Sequence, residues 1–227
     1  MDSMYEILLT LPLFSGVSRD KVSQIVGGTK LHFLKYTPGE TIVRAGESCT
    51  HIKFIISGSA RSTVSNVGDR FSVSQTLAAP DVIAPEFLFG RTTLYPCDVV
   101  AVDTVGILQI AKTDYLNILS SDRVFLINYL NKLSMFAQKG VDGILSFTQG
   151  SLEERFAYWI IALTQRSGRD ITLTCKQRDL NAMFGVQRSS FMSMLDGLKE
   201  RGIVDYRPGV INILDRQALE AMLSGQD

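Results

Sequence analysis

The alternation of apolar and polar residues changes character twice along the chain, and each change predicts a different kind of structure. Residues 4–35 have apolar positions at helical spacing in two pieces, with an apolar break at residues 11–14 between them. From Phe33 onward the pattern becomes strand-like. Short β-rich runs lie at residues 41–43, 52–56, 60–64, 71–74, 98–102 and 105–110.

Turn-forming residues separate these runs at close intervals. They are Pro38-Gly39-Glu40, Ala45-Gly46-Glu47, Ser57-Gly58-Ser59 and Val67-Gly68-Asp69. Many short strands at this spacing predict a closed or double-sheet β-roll rather than βαβ units. The sequence has no glycine pattern typical of a dinucleotide-binding or P-loop site.

Residues 113 to about 148 return to helical spacing, and their apolar positions alternate steps of four and three as in a coiled-coil seam. The seam comprises Leu126, Leu130, Leu133, Ala137, Gly140, Ile144 and Phe147. Such a helix buries its seam either against its own β-roll or against a second copy of the chain. We favour a parallel dimer, in which the small residues at mid-seam let two backbones approach closely.

A break near Gln149-Gly150-Ser151 indicates a hinge, and Ser151 with Glu154 fits the cap of a further helix. Beyond it, residues 174–202 predict two short helices joined by a turn at Gly185. Thr174 and Gln177 fit a capping box for the first helix, and Gly202 fits the end of the second. The second helix has Phe191, Met194, Leu195 and Leu198 on its inward face.

The outward, N-terminal half of that second helix is polar. Arginine can donate two hydrogen bonds to a guanine edge, glutamine can bind adenine, and serine can bind either base or phosphate. Residues 203–213 then predict a β-hairpin, which makes the motif a winged helix with Arg207 at the tip of the wing. The alternative for such a polar run is a solvated helix face. The predicted DNA-binding residues are Lys176, Gln177, Arg178, Gln187, Arg188, Ser189, Ser190, Ser193 and Arg207.

The net charge of the chain limits how strongly such a surface attracts DNA. The 227 residues have 23 Lys+Arg against 23 Asp+Glu, so no overall field attracts nucleic acid. Between Lys176 and Arg207 there are six basic residues against four acidic ones, a small excess. Specific binding therefore needs a dimer to gather enough phosphate contacts.

Composition also excludes several kinds of site. The three cysteines, Cys49, Cys97 and Cys175, are far apart and cannot supply a four-cysteine iron–sulfur site within one chain. The only histidines are His32 and His51, so a haem ligand is less favoured than a surface or hydrogen-bonded imidazole, and no metal site is predicted. The absence of a spanning segment and of a signal peptide predicts a cytoplasmic protein without membrane contact.

In this order, the β-roll, the heptad helix and the winged helix resemble the Crp/Fnr family of bacterial transcription regulators. Local similarities are Pro38-Gly39-Glu40, Ala45-Gly46-Glu47, Ile56-Ser57-Gly58 and Gly185-Val186-Gln187-Arg188. The resemblance implies an α+β fold with a double-stranded β-helix (jelly-roll-like) sensor domain at 1–120, a dimerisation helix at 121–148 and a winged helix-turn-helix at 149–227. It also implies a homodimer on double-stranded DNA with a palindromic operator, and RNA polymerase as a further partner.

The sequence departs from the family's cyclic-nucleotide pattern. Members that bind cyclic nucleotides have Gly-Glu-Leu and, about ten residues after the Glu, an Arg-Ser pair that holds the cyclic phosphate. Here Glu86 is present, but Pro96 and Cys97 occupy the Arg-Ser positions, and proline offers neither charge nor amide donor. We therefore expect a small-molecule effector other than cyclic AMP, or none. The predicted effector-pocket residues are Glu86, Phe87, Arg91, Tyr95 and Cys97.

The DNA-contacting positions also differ from the family's commonest arrangement, an Arg-Glu pair followed four residues later by Arg. Arg188 matches the first Arg, Ser189 replaces the Glu and Ser193 replaces the second Arg. A dimeric, sequence-specific regulator is the leading hypothesis. The alternative is a ligand-binding or protein-interaction module whose winged helix contacts protein. An enzyme is the least favoured class, because the sequence shows no ligand cluster or nucleophile–base arrangement.

Overall fold

The computed structural model describes residues 2–66, 68, 70–147 and 150–223 of the chain. The helices are α1 Asp2–Thr10, α2 Arg19–Gly28, α3 Lys112–Ser121, α4 Arg123–Leu145, α5 Leu152–Leu163, α6 Gln177–Phe184, α7 Arg188–Glu200 and α8 Arg216–Leu223, with 3-10 turns at Pro12–Phe14 and Pro85–Phe87. The strands are β1 His32–Tyr36, β2 Thr41–Val43, β3 His51–Ser57, β4 Ser59–Ser65, β5 Phe71–Ala78, β6 Asp81–Ile83, β7 Asp98–Ala101, β8 Val105–Ala111, β9 Arg169–Cys175, β10 Val204–Arg207 and β11 Val210–Ile213.

The chain forms two compact units. The first comprises residues 1–62 and 77–136, and the second comprises residues 63–76 and 137–227. The first contains an antiparallel sheet of order β1-β8-β3-β6 and strands in the order β4-β7-β2. The second contains strands in the order β10-β11-β9-β5, which join the wing hairpin to the segment that carries β5. The predicted α+β architecture, with a jelly-roll-like β-roll and a C-terminal winged helix-turn-helix, is confirmed. The predicted three-part division at 120 and 148 stays a prediction.

Each unit has its own apolar core. In the first, the ring of Phe14 packs edge-on against two other rings. Its centroid lies 5.0 Å from that of Phe125 of α4 and 6.0 Å from that of Phe54 of β3. In the second, the ring centroids of Trp159 of α5 and Phe184 of α6 are 5.5 Å apart, and those of Phe184 and Phe191 of α7 are 5.7 Å apart. These aromatic rings hold the helix-turn-helix on α5.

Four local predictions need correction. Helix α2 ends at Gly28 and residues 32–36 form β1, so the helical piece predicted up to 35 is too long. The helix predicted over 113–148 is interrupted at Asp122, whose φ of −150° is extended. Its carboxylate Oδ1 accepts a 2.7 Å hydrogen bond from the Val124 amide and so starts α4 afresh. Strands β6 and β9 are additional elements that the sequence pattern did not predict.

The fourth correction concerns the predicted capping box at Thr174. Thr174 lies in β9, where it pairs with Val210 on one side and Ser72 on the other. The N-cap of α6 is Lys176, which makes no side-chain cap hydrogen bond. The other predicted cap is confirmed, since Ser151 and Glu154 form a reciprocal capping box on α5. The predicted turn at 67–69 includes residues 67 and 69, which lie outside the described residues. The predicted hinge at 149–151 includes residue 149, which also lies outside them.

The end of α7 is formed as predicted by Gly202, at φ 71°. Its amide donates to the carbonyl of Lys199 at 2.9 Å, and the next amide, of Ile203, donates to Leu198 at 2.9 Å. This pair of hydrogen bonds is a Schellman motif, and it directs the chain at once into the wing strand β10. Among the described residues, no helix combines the length and the apolar character that crossing a bilayer requires.

The turn at Gly58 yields a stability prediction. Gly58 has φ 75°, and a Cβ there would lie 2.3 Å from the Thr104 carbonyl oxygen. Gly39 also has positive φ, 85°, but has open space around the Cβ position. We expect Gly39→Ala to cost about 1–2 kcal/mol of unfolding free energy from backbone strain alone, and Gly58→Ala at least about 1 kcal/mol more from the clash.

Denaturant unfolding followed by far-UV circular dichroism measures both effects. Equal losses in the two variants would show that the approach of Thr104 adds nothing to the backbone strain. The single tryptophan, Trp159, belongs to the second unit, so its fluorescence is an internal control that neither substitution should change.

Candidate nucleic-acid interface and sensor interior

The rotation of α7 about its axis is set by its apolar side. Phe191 and Leu198 are fully buried, and Met194 and Leu195 are nearly so. Because these four positions follow helical spacing, the opposite side of the helix is exposed. The exposed residues at its N-terminal end are the predicted Gln187, Arg188, Ser189, Ser190 and Ser193. The sequence pattern therefore placed these five on the solvent side correctly, whereas their contact with DNA stays a prediction.

The predicted residues at the start of α6 differ from one another in environment. Lys176 and Arg178 are exposed. The guanidinium of Arg178 also donates to the carboxylate of its neighbour Asp179 at 3.1 Å, an exposed pair of small energetic weight. Gln177 is half-buried, and its amide nitrogen contacts the sulfur of Met192 on α7.

The wing places Arg207 at its tip. Arg207 ends β10 opposite Val210, so only Pro208 and Gly209 form the turn, and Gly209 has the positive φ of 79° that this tight turn requires. The Arg207 side chain is exposed. The wing is fixed to α7 by a hydrogen bond from the Tyr206 hydroxyl to Asp196.

A second link between wing and α7 is the ion pair of Lys199 with Asp205, at 2.7 Å. Hydrogen bonding to Lys199, together with its charge, lowers the pKa of the Asp205 carboxyl. Both side chains are about half exposed, so the pair orients the wing more than it stabilises it.

Serines of α7 also line a groove that the sequence did not predict. The groove has a volume of about 730 Å³ and lies between α7 and the N-terminal end of α5. It is lined by Ser151, Leu152, Glu153, Ser189, Ser190, Ser193 and Met194. Glu153 at its edge is paired with Arg201. Helical spacing predicted the serine row, but only the tertiary packing of α5 could reveal the other wall.

The predicted effector-pocket residues differ in burial, and their role as a pocket stays a prediction. Tyr95 and Cys97 are buried in the β-roll, and Glu86 and Phe87 are half-buried in the 3-10 turn Pro85–Phe87. Arg91 is exposed, so it is not a buried cation in place of the family arginine. No side chain at position 96 supplies that charge either, because the residue is proline.

The interior around Tyr95 holds several neutral hydrogen-bonding groups. The Tyr95 hydroxyl donates to the His51 carbonyl at 3.1 Å, and the Cys49 thiol reaches the same carbonyl at 3.8 Å. Burial raises the pKa of the Tyr95 phenol and of the Cys49 and Cys97 thiols, which keeps all three protonated near neutral pH. The charge of Glu86 adds to the rise in pKa for both thiols, whereas the charges of Lys53 and Lys112 act in the opposite direction on Cys49.

The residues of the predicted dimer seam lie along the outer side of α4 and just beyond its end. Leu126 and Leu130 are 40% and 46% exposed, and Ile144 is 65% exposed. Ala137 and Gly140 are exposed as well, and Leu133 is half-buried against the core. The ring of Phe147 packs on that of Phe184, with 6.1 Å between the ring centroids. The core of the first unit takes a different stripe of α4, with Phe125 and Tyr129 buried.

Histidines, cysteines and carboxylates are the side chains that metal or thiol chemistry would use. Within residues 2–66, 68, 70–147 and 150–223, no group of three or more histidine, cysteine, aspartate or glutamate side chains is placed to hold a metal ion. His32 and His51 lie on β1 and β3, the two strands that flank β8, and burial lowers the pKa of His51. The three cysteines are buried free thiols.

Comparison with known proteins gives the same two-part organisation. Residues 33–122 match the model of the cyclic nucleotide-binding domain, and residues 154–222 match that of the Crp-like helix-turn-helix domain. The Cyclic AMP receptor protein of Thermus thermophilus is 25% identical over 222 residues, which are 94% of this chain and 97% of that protein.

Two solved structures share the fold. The Catabolite Activator Protein of Thermus thermophilus superposes with a TM-score of 0.53 at 21% identity and covers 95% of this chain and 100% of its own. The sensor domain of the transcriptional regulator DNR from Pseudomonas aeruginosa gives a TM-score of 0.54 at 18% identity over 62% of this chain and 93% of its own. With the two matched domains in this order and the exposed polar side of α7, the chain belongs to the Crp/Fnr family of DNA-binding transcription regulators.

Proposed function

We propose that this regulator binds a palindromic operator as a homodimer, with the N-terminal half of α7 in the major groove of each half-site. The observation that carries the proposal is the division of α7 into a fully buried apolar side and an exposed polar side, followed directly by the wing. A helix of this kind fits the major groove, and its first turns lie closest to the base edges.

Different residues have different roles in this proposal. Arg188, the one basic side chain in the first two turns of α7, donates to the O6 and N7 atoms of guanine, and the neighbouring serines make short hydrogen bonds to bases or phosphates. Lys176, Arg178 and Arg207 contact phosphates, which adds affinity without sequence preference. With so few cations, one copy of the winged helix neutralises few phosphates, and a two-fold pair doubles that number.

The proposed dimer uses the outer stripe of α4. Exposed large apolar side chains such as Leu126, Leu130 and Ile144 form a face with heptad spacing on a helix that already packs Phe125 and Tyr129 into its own core. Exposure of this much apolar surface on one helix is typical of a protein interface. The small residues Ala137 and Gly140 at mid-face permit close approach of a second α4.

The sensor interior supports an effector without a buried negative charge, or none. The interior offers the hydroxyl of Tyr95 and two protonated thiols, while Arg91 is exposed to solvent. Contact with RNA polymerase and a regulatory rather than catalytic role are part of the same proposal. The runner-up function is a winged helix that contacts protein, and selection from a random DNA library that enriches no palindrome would favour it.

The role of Arg188 is tested on the palindrome that such a selection yields. We expect Arg188→Ala to weaken binding by about 1–3 kcal/mol and to relax the preference for guanine at one position of each half-site. Arg207→Ala should weaken binding about equally on all sequences and lower the salt dependence by about one phosphate contact per wing. Fluorescence anisotropy with labelled duplexes measures both.

A matched control is Arg19→Ala, which removes an exposed arginine from α2 in the other unit. Its affinity and salt dependence should equal those of the native protein. Operator binding by Arg188→Ala that is indistinguishable from native would remove Arg188 from base recognition.

Dimerisation is tested with single charges on the outer face of α4. Ile144→Glu or Leu130→Glu would place a carboxylate against its own copy in an apolar seam, so we expect either variant to be monomeric. Size-exclusion chromatography with light scattering should give 25.1 kDa for these variants and twice that mass for the native chain. Leu116→Glu changes an equally exposed leucine on α3 and should remain dimeric. A native protein of monomer mass at micromolar concentration would contradict the proposal.

The effector proposal is tested by titration calorimetry with cyclic AMP. Because Pro96 replaces the phosphate-binding arginine, we expect no binding heat up to millimolar nucleotide. Binding of micromolar affinity that disappears in Arg91→Ala would refute the proposal and make Arg91 the phosphate ligand.

A further inference from the structure

Met192 is the apolar residue of α7 that does not enter the core. Among the described residues of α7, Phe191, Met194, Leu195 and Leu198 all belong to the buried cluster of the second unit. Met192 does not belong to that cluster or pack against its edge, and its side chain is half-buried. Single apolar residues are common on protein surfaces, so what Met192 can bind is decided by its place on the helix and by its contacts.

The position of Met192 on α7 determines which residues lie on the same surface. It lies three residues after Ser189 and four residues before Asp196, so these side chains form one row along the exposed side of α7. Ser189 and Ser193 also line the groove beside α5, which places that groove on one flank of the row. Gln177 of α6 contacts Met192 and marks the other flank. Met192 therefore lies within the face that the proposed function puts against the bases.

The contact with Gln177 restrains a side chain that is otherwise adaptable. A methionine has three rotatable side-chain bonds and takes many shapes on an open surface. Here the amide nitrogen of Gln177 lies on its sulfur, so the first helix of the motif holds the thioether of the second. The same contact uses part of the hydrogen-bonding capacity of Gln177, which the sequence had assigned to DNA.

The major groove displays one common apolar group, the C5-methyl of thymine. The remaining exposed residues at the start of α7 are an arginine and serines, whose partners are hydrogen-bonding atoms of the bases or phosphates. A thioether cannot donate a hydrogen bond and accepts one only weakly. The methyl of a thymine is thus the base feature that Met192 matches chemically.

We propose that Met192 contacts a thymine methyl in each half-site of the operator and that Gln177 is the positioning residue that holds its thioether there. The inference rests on the proposed function, since it needs α7 in the major groove. It adds a specificity determinant that carries no charge and so does not depend on the small basic excess of this domain.

The test removes the methyl group alone. Each thymine of the selected palindrome is replaced in turn by deoxyuridine, and affinities are measured for the native protein and for Met192→Ala. We expect one thymine per half-site at which the replacement lowers native affinity about fourfold, the value of burying one methyl group. Met192→Ala should bind the two duplexes equally, and Met192→Leu, which keeps an apolar side chain, should retain most of the difference.

Gln177→Ala separates positioning from direct contact. If Gln177 positions Met192, the difference between thymine and deoxyuridine shrinks in this variant. If Gln177 contacts the phosphate backbone instead, affinity falls equally on both duplexes and the positioning role is wrong. Because Met192 and Gln177 lie outside the core cluster, both variants should keep the native Trp159 fluorescence and unfolding midpoint.

Different results would overturn the role of Met192 and the proposed function. If the native protein binds the palindrome but no deoxyuridine replacement weakens it, or the loss is the same in Met192→Ala, the inference on Met192 is overturned while the proposed function stands. If no palindrome is enriched from the library, the proposed function itself fails, and the inference fails with it.

Discussion

Burial of one side of α7 is the constraint on which the functional surface depends. Phe191 and Leu198 are fully buried, and the ring of Phe191 packs against Phe184 of α6 and Phe156 of α5. These contacts fix the rotation of the helix about its axis, because turning it would pull large aromatic and aliphatic groups into water. The same rotation exposes Arg188 and the serines, and the Schellman motif at Gly202 then places the wing beside them. Core packing and the exposed polar surface proposed to contact DNA are thus two sides of one helix.

The small basic excess of this surface bears on the proposed dimer and on the proposed base recognition. A domain with a small basic excess gains affinity by repetition, and the outer stripe of α4 is the apolar face on which a second copy can dock. In the proposed complex, apolar and short polar side chains on α7 have a larger share in base recognition than they would have in a strongly basic DNA-binding domain. In the β-roll, Tyr95 and Cys97 are buried as neutral groups, and Pro96 stands where the cyclic-nucleotide pattern of the family has an arginine.

The sequence predicted the features that depend on local periodicity and on turn chemistry. The buried stripe of α7, the capping box at Ser151 and most strands of the β-roll are of this kind. The capping box at Thr174 was wrong, since pairing of β9 with two neighbouring strands overrides a local capping signal. Helical spacing correctly left Met192 off the inward face, but no local pattern identifies an apolar residue as a base contact. The groove beside α5 and the contact with Gln177 come from residues far apart in sequence, which no local pattern links.

The most direct measurement of the central claim is protection of guanine N7 from dimethyl sulfate on the enriched operator, since this atom lies in the major groove. If two exposed α7 helices enter the groove as a symmetric pair, the protein protects guanines in two half-sites whose centres are about one helical turn, or a whole number of turns, apart. Arg188→Ala should restore reactivity at one guanine in each half-site. Protection confined to a single half-site, or binding that leaves every major-groove N7 reactive, would contradict the account.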